Sequence, residues 1–430
     1  MQFELQHPAD QLIMLMERIY GYGMTTTSGG NLSILDENGD IWITPGGVDK
    51  GSLTRKDIVK VEQDGTIVGN HKPSSEFPFH KLIYEARPDL KAVVHAHPPA
   101  LVAFSIARKS PNTQLMPHFH QICGEVGMAE YALPGSTLLG EKIASVFKQG
   151  LNAVMLENHG VVVGADNLFK AFMAFETLEY CARLEIQAKR LGNPVSLTKE
   201  HLDIPPMLSL EDFAPDFYTS EERESRREMC ELINRAYSQR LITSTEGTFS
   251  HRLNDGSFII TPFGKDRKYI EAGDLVRIKE GKYKESGKTP SRAVTLHKEI
   301  YTKHSHINSI IIAHPTNMMA FGVTDEVFDS KIIPESYILL RDIEKLPYGT
   351  ATSQPEEVAK ALDEATPITL VKNDCVVVTG NSLLETFDRL EVLEYSAKAV
   401  IASKLIGDIV QIGVKEINDL EEAFNLPKKQ

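Results

Sequence analysis

Ile43-Thr44-Pro45 recurs as Ile260-Thr261-Pro262, 217 residues further along the chain. The same offset holds outward from there. It pairs Gly30 with Gly247, Ser33 with Ser250, Gly47 with Gly264, Asp49 with Asp266, Asp57 with Asp274 and Pro73-Ser74 with Pro290-Ser291. It also pairs His80-Lys81 with His297-Lys298, Tyr84 with Tyr301, Ala96-His97-Pro98 with Ala313-His314-Pro315, and Tyr131 with Tyr348. Two residues are then missing from the second copy, so that Asn158 matches Asn373 and Leu178-Glu179-Tyr180 matches Leu393-Glu394-Tyr395 at an offset of 215. A single register kept over so many positions marks a tandem duplication, and a repeat of about 200 residues is an ordinary domain size. The expected organisation is a domain over 1–201, a linker over 202–220 that carries Pro205-Pro206 and Pro215 among acidic residues, and a second domain over 221–430.

Both copies alternate between helical and strand periodicity. Leu12, Ile13, Leu15, Met16 and Ile19 predict a helix over 11–21, and Ile41-Trp42-Ile43 before Pro45 predicts a strand ending in a turn. Ala92-Val93-Val94 and Val161-Val162-Val163 read as buried strands, and 167–191 as a long helix burying Phe172, Phe175 and Leu178. In the second copy the pattern predicts helices over 227–239 and 383–405, and strands over 258–260, 310–312 and 376–378. Each copy is therefore an α/β domain.

The 430 residues are 42% hydrophobic, enough for more than one core. With 46 basic against 59 acidic side chains, the net charge of -13 opposes binding to nucleic acid or an anionic membrane. No apolar run approaches the roughly 20 residues of a bilayer span, and residues 1–10 lack the pattern of a signal peptide. A cytoplasmic protein is expected. Cys123, Cys181, Cys230 and Cys375 are too scattered for a disulfide framework and read as buried fillers.

The sharpest chemical feature is Val94-His95-Ala96-His97-Pro98. Two histidines one residue apart on a strand face the same way and can share an ion. His159, in Glu157-Asn158-His159-Gly160, is the candidate third ligand, and Glu76, in Pro73-Ser74-Ser75-Glu76, is the carboxylate that completes the sphere or acts beside it as a base. A lone His-x-His is more often a pair of hydrogen-bonded core residues. The duplication argues otherwise, because the second copy has Ala293, Ile312 and Asp374 in place of Glu76, His95 and His159 and retains only His314 for His97. Residues needed for packing persist in both copies, whereas residues needed for one chemistry are lost together. Pro117-His118-Phe119-His120 holds another such pair but has no evident third ligand. Ser28-Gly29-Gly30-Asn31, Thr44-Pro45-Gly46-Gly47 and Ser74-Ser75 offer hydroxyls, an amide and backbone N–H groups without bulk, as an anion needs.

In order and spacing, Ser28-Gly29-Gly30-Asn31, Ile43-Thr44-Pro45-Gly46, Ser74-Ser75-Glu76, His95-Ala96-His97 and Asn158-His159-Gly160 resemble the class II aldolase/adducin family, across nearly all of the first copy and, in degenerate form, the second. The resemblance implies two tandem three-layer α/β/α domains around mixed, largely antiparallel sheets. It implies a lyase in carbohydrate metabolism, a metal-dependent aldolase that cleaves a ketose 1-phosphate to dihydroxyacetone phosphate and a short aldehyde through a metal-stabilised enediolate. The alternatives within the family are a sugar-phosphate epimerase, dehydratase or decarboxylase, and outside catalysis an adducin-like binding protein.

By the same resemblance His95, His97 and His159 bind Zn2+, with Mn2+ or Co2+ as alternatives. Asn31, Ser74, Ser75, Gly46 and Gly47 hold the substrate phosphate, and Glu76 is the acid/base. Gly46 departs from the family, whose aldolases tend to place a threonine there. Fourfold relatives also receive a proton-donating tyrosine from a neighbour, in a stretch that aligns with Pro117-His118-Phe119-His120; at the offset of 217 the second copy carries Tyr337 there. A homodimer forming a pseudo-fourfold ring, with Tyr337 as second catalytic residue, is the expectation that follows.

Overall fold

The computed structural model describes residues 3–204 and 206–427. It divides into two compact units, Gln2–Arg183 and Leu184–Gln430.

In the first unit the strands are Asn31–Leu35 (β1), Ile41–Ile43 (β2), Val59–Val61 (β3), Ile67–Val68 (β4), Ala92–Ala96 (β5), Val126–Ala129 (β6), Ala153–Leu156 (β7) and Gly160–Ala165 (β8). They form one sheet in the order β4-β3-β2-β1-β5-β8-β7-β6, antiparallel except where β6 meets β7. Helices Phe77–Ala86 and Thr137–Phe147 cover one face: Phe79, Ile83, Leu139, Ile143 and Phe147 close a core against Ile43, Val59, Val93, Val154 and Val162. Helix Pro8–Gly21 buries Leu12, Leu15, Met16 and Ile19, the stripe that its periodicity predicts, and begins three residues before the predicted 11 because Pro8 suits a first turn and His7 Nδ1 accepts the Ala9 N–H.

The second unit repeats this plan. Its strands are Glu211–Phe213 (β9), Thr248–Arg252 (β10), Phe258–Ile260 (β11), Val276–Lys279 (β12), Tyr283–Glu285 (β13), Ser309–Ala313 (β14), Ile343–Leu346 (β15), Ile368–Val371 (β16) and Cys375–Gly380 (β17). Their order is β15-β16-β17-β14-β10-β11-β12-β13-β9, antiparallel except at β15–β16 and β13–β9. The two domains are thus three-layer α/β/α folds around mixed, largely antiparallel sheets.

The repeated Ile-Thr-Pro has a structural cause. Thr44 Oγ1 accepts the Leu32 N–H at 3.2 Å while the Thr44 N–H donates to the Leu32 carbonyl, and Thr261 makes the same two bonds to Phe249. Pro45 then bridges to Pro73, as Pro262 does to Pro290. A buried threonine that bonds through both hydroxyl and backbone is hard to replace, which explains its retention in both copies.

Three features exceed the sequence pattern. Helix Ser220–Ser238 starts seven residues before the predicted 227 because Thr219 caps it, its hydroxyl accepting the Glu222 N–H, ahead of a strongly charged first half with little apolar signal. Helix Val414–Ala423 follows the predicted closing helix, which is Leu383–Ser403. Residues expected to be plain linker contain β9, which adds to the edge of β13, and Leu210 packs on the second core; Pro205 lies outside the described residues. Cys123, Cys181 and Cys375 are buried and Cys230 half-buried, all as free thiols. Among the described residues no helix is long and apolar enough to cross a membrane.

At the β13 edge Glu285 is a buried carboxylate that accepts from Tyr218 at 2.7 Å, Arg226 at 2.7 Å and the Arg277 N–H at 3.2 Å, with Lys288 at 2.7 Å. Burial alone would raise its pKa, but the bonds from Lys288, Tyr218 and Arg226 bring it down to about 2. Because the folded value lies below the unfolded one, this contribution is complete above about pH 4.5 and is lost as pH falls towards 2. Glu285→Ala also takes from the buried Arg226 guanidinium one of its two carboxylate partners, the other being Glu222. The substitution is expected to cost about 3 kcal/mol, read at pH 7 as a lowered unfolding midpoint by circular dichroism, and to cost progressively less as pH falls from about 4.5 towards 2.

Candidate metal site

His95 is the penultimate residue of the central strand β5 and His97 follows the strand, on the face that Val93 turns to the core. His159 sits in the turn between β7 and β8, after Asn158 at φ 53°. The fold brings these together. His95 Nε2 and His97 Nε2 are 3.1 Å apart, and one nitrogen from each of the three imidazoles lies within 4.8 Å of the others. Glu76, at the N-terminal end of helix Phe77–Ala86, places Oε2 3.2 Å from His95 Nε2 and Oε1 3.5 Å from His159 Nε2.

The local backbone explains why the glycines of the motif are glycines. A Cβ at Gly29 would stand 3.0 Å from His97 Nδ1 and 2.9 Å from Thr26 Oγ1, and one at Gly160 would stand 2.7 Å from His97 Cδ2 and 2.6 Å from the Ala96 carbonyl. The two glycines clamp His97 from opposite sides, so the Ser-Gly-Gly-Asn turn read as an anion cradle is first of all a wall of the histidine cluster.

The His95 ring and the turn that carries His159 are also fixed by hydrogen bonds. His95 Nδ1–H donates to the Val161 carbonyl at 2.9 Å, which leaves Nε2 as the coordinating lone pair. The Ser105 hydroxyl donates to the Leu156 carbonyl at 2.6 Å and accepts the His159 N–H at 2.8 Å, fixing the turn that presents His159. Ser105 was not singled out by the sequence reading. The signal was available: at the offset of 217 it becomes Gly322, lost together with the histidine it supports.

Burial, then the charge of His95, lowers His97 to about 3, and the same two causes lower His159 to about 4, so both present neutral rings at neutral pH. For Glu76, burial opposes ionisation but the adjoining His95, Asn31 and His159 outweigh it and hold the carboxyl well below the usual range; His95 is raised in return, against its own burial. Two ligands of one tetrahedral ion with metal–nitrogen bonds of 2.0–2.1 Å stand about 3.3 Å apart, close to the 3.1 Å between His95 and His97, and Glu76 Oε1 is buried with no hydrogen-bond partner. The donor set fits a divalent metal with three nitrogen ligands and a carboxylate alongside.

Residues 10–186 and 227–401 match the model of the class II aldolase and adducin N-terminal domain. The chain belongs to this family. A 5-deoxy-D-ribulose 1-phosphate aldolase of Bacillus thuringiensis serovar kurstaki is 30% identical over 213 residues, covering 46% of this chain and 93% of that protein. A 3-oxo-tetronate 4-phosphate decarboxylase of Pectobacterium atrosepticum is 34% identical, covering 42% of this chain and 84% of that protein. An L-fuculose phosphate aldolase of Escherichia coli is 31% identical, covering 45% and 88%. Each similarity is about one copy in length.

The other residues assigned to the site lie as follows. Asn31 is buried, its amide committed to Glu76 Oε2 at 2.8 Å and its carbonyl to His80 at 2.5 Å. Ser74 Oγ accepts the Glu76 N–H, and Ser75 is exposed. Gly46 spends its N–H on the Lys72 carbonyl, and Gly47 is exposed at φ 70°. Tyr337 lies in the second unit; its hydroxyl donates to Glu421 Oε1 at 2.7 Å and its ring lies under the Arg341 guanidinium. Lys50 is buried and lowered to about 8 by burial, yet its ammonium is pinned to the Pro45 carbonyl, just as Arg267 reaches the Pro262 carbonyl in the second copy. It is a scaffold cation and not a Schiff-base lysine.

The purified chain is expected to carry one divalent ion. Elemental analysis should find it abolished in His95→Ala and retained in His314→Ala; two ions per chain that survive His95→Ala would contradict the site.

Proposed function

We propose that the chain is a metal-dependent aldolase that cleaves a ketose 1-phosphate into dihydroxyacetone phosphate and a short aldehyde, with Zn2+ on His95, His97 and His159. The observation that carries this reading is the convergence of three imidazoles on one carboxylate whose second oxygen, Glu76 Oε1, makes no hydrogen bond and lies 3.5 Å from His159 Nε2. A divalent cation held there supplies Lewis acidity, drawing electron density from a carbonyl and its neighbouring hydroxyl so that a carbon–carbon bond can break. Glu76 Oε1 moves the proton: in cleavage the hydroxyl that becomes the aldehyde gives up its proton, and Glu76 delivers a proton to the carbon that the aldehyde leaves, so that none is gained or lost; in synthesis both transfers run in reverse. Burial of Glu76 and the histidines keeps water from competing for it. The substrate phosphate falls to exposed Ser75 and Gly47 and to Ser74, whose Oγ accepts the Glu76 N–H and keeps its own O–H to donate, because the Gly46 N–H and the Asn31 amide have bonds within the fold.

A second reading, decarboxylation of a phosphorylated oxo acid, is favoured by the relative of that activity at 34% identity. Both reactions leave negative charge beside a carbonyl, so the site chemistry serves either. A panel of ketose phosphates and phosphorylated oxo acids, followed for dihydroxyacetone phosphate and for carbon dioxide, separates them: carbon dioxide alone would replace the aldolase reading.

Glu76→Gln is nearly isosteric but cannot accept a proton, and is expected to lower kcat by about 100-fold or more while metal content stays at one per chain. Near-normal turnover would remove Glu76 as the base. The proposal extends to a homodimer in a pseudo-fourfold ring in which Tyr337 of one chain donates a proton at the site of the other. Tyr337→Phe should then lower turnover about tenfold or more with metal content intact, whereas unchanged turnover assigns the hydroxyl to Glu421 alone.

A further inference from the structure

Glu76 stands at the end of a buried line of hydrogen bonds that the reaction does not use. The Tyr84 hydroxyl is 2.6 Å from Ser33 Oγ, Ser33 Oγ is 2.7 Å from His80 Nδ1, His80 Nε2 is 2.5 Å from Asn31 Oδ1, and Asn31 Nδ2 is 2.8 Å from Glu76 Oε2. All five side chains are buried. The partners fix the direction of each bond, starting from the carboxylate. A carboxylate only accepts, so Asn31 turns its NH2 towards Glu76 and its carbonyl towards His80. A carbonyl only accepts, so His80 carries its proton on Nε2. Burial holds the ring neutral, lowering it to about 3, which leaves Nδ1 bare to accept the Ser33 O–H; the Ser33 oxygen in turn accepts the Tyr84 O–H. Every donor points towards Glu76, and bonds aligned in this way polarise one another.

The second copy keeps the inner half of the line and has lost its target. Ser250 Oγ is 2.6 Å from both His297 Nδ1 and the Tyr301 hydroxyl, but Thr248 and Ala293 replace Asn31 and Glu76, and Thr248 Oγ1 bonds to Ser291 Oγ instead. His297 Nε2 is buried without a partner, and the Tyr301 hydroxyl reaches the Asn308 carbonyl at 3.4 Å. A neutral imidazole with no acceptor at Nε2 is better served by a proton on Nδ1. That sends the bonds the other way, from His297 through Ser250 and Tyr301 to Asn308.

We propose that His80 is a positioning residue for Glu76: as its Nε2–H tautomer it holds the Asn31 amide on Glu76 Oε2, so that Oε1 is the oxygen left to move the proton, while His297, with nothing to position, is the Nδ1–H tautomer. The role of Oε1 rests on the function proposed above; the two tautomers do not.

Long-range 1H–15N correlation of the 15N-histidine-labelled chain reads both tautomers directly, with His80→Gln and His297→Gln identifying the signals. The expected result is Nε2–H for His80 and Nδ1–H for His297, and conversion of His80 to Nδ1–H in Asn31→Thr, which copies a residue that the second domain already tolerates. A wild-type His80 protonated on Nδ1, or one that stays Nε2–H in Asn31→Thr, overturns the proposal. Kinetics supply the second arm. His80→Leu should lower kcat by between about 10- and 100-fold with KM and metal content unchanged. His80→Gln, whose amide offers an N–H near the position of Nε2, should recover most of it, and His297→Leu should leave kcat alone. Equal losses in His80→Leu and His80→Gln, or a loss in His297→Leu, would make the effect one of folding. Absence of aldol cleavage on every substrate would count against the function and not against His80, whose tautomer is read without substrate.

Discussion

Asn31 and His95 face each other across the antiparallel pair β1–β5, and the candidate site is organised by that one register. It sets the Asn31 amide and the His95 imidazole against the same carboxylate, and it brings the Gly29-Gly30 turn so close to β5 that a Cβ at Gly30 would stand 2.9 Å from the His95 carbonyl. A slip of one residue between the two strands would put the two side chains on opposite faces of the sheet. The second copy preserves the register, pairing Thr248 with Ile312, with different side chains. The backbone geometry is therefore independent of the chemistry it supports, which is why one copy could lose its ligands and keep its fold.

Within that frame the site is an electrostatic arrangement sustained by burial. Three imidazoles and a carboxylate share a volume from which water is largely excluded, so each protonation state depends on its neighbours more than on solvent. His95 and Glu76 each favour the charged form of the other, while burial keeps His97 and His159 neutral. A divalent cation would replace the shared proton with a charge that all four groups can meet at once. The net charge of -13 plays no part at this range, since exposed charges more than about 10 Å away are screened.

The residues that hold the ligands differ from the ligands in how visible they are. His95, His97, His159 and Glu76 stand out because their types are reactive and because they disappear together from the second copy. Ser105 disappears with them as Gly322, but an isolated serine carries no chemical signature, and only its bonds to Leu156 and His159 show its purpose. His80 is harder still to see. It is retained as His297, so comparing the copies files it with the scaffold, and only the difference between a satisfied and an orphaned Nε2 separates the two. Ile-Thr-Pro misleads in the other direction: its small turn suggests an anion site, while its threonine is spent on the sheet in both copies.

The sequence by itself determined the duplication, the α/β class of each copy, the principal strands and helices, and the four groups that meet at the site. These follow from periodicity and residue type, which are local, and from an internal comparison that needs no coordinates. Tertiary structure alone decided that the Ser-Gly-Gly-Asn turn packs on His97, that Asn31 serves Glu76, that the linker closes a sheet edge through β9, and that the Tyr337 hydroxyl rests on Glu421. Each of these joins residues distant in sequence, by a hydrogen bond or a close approach that falls off within an ångström or two. Residue type permits such a contact, but only the folded backbone sets the distance at which it forms.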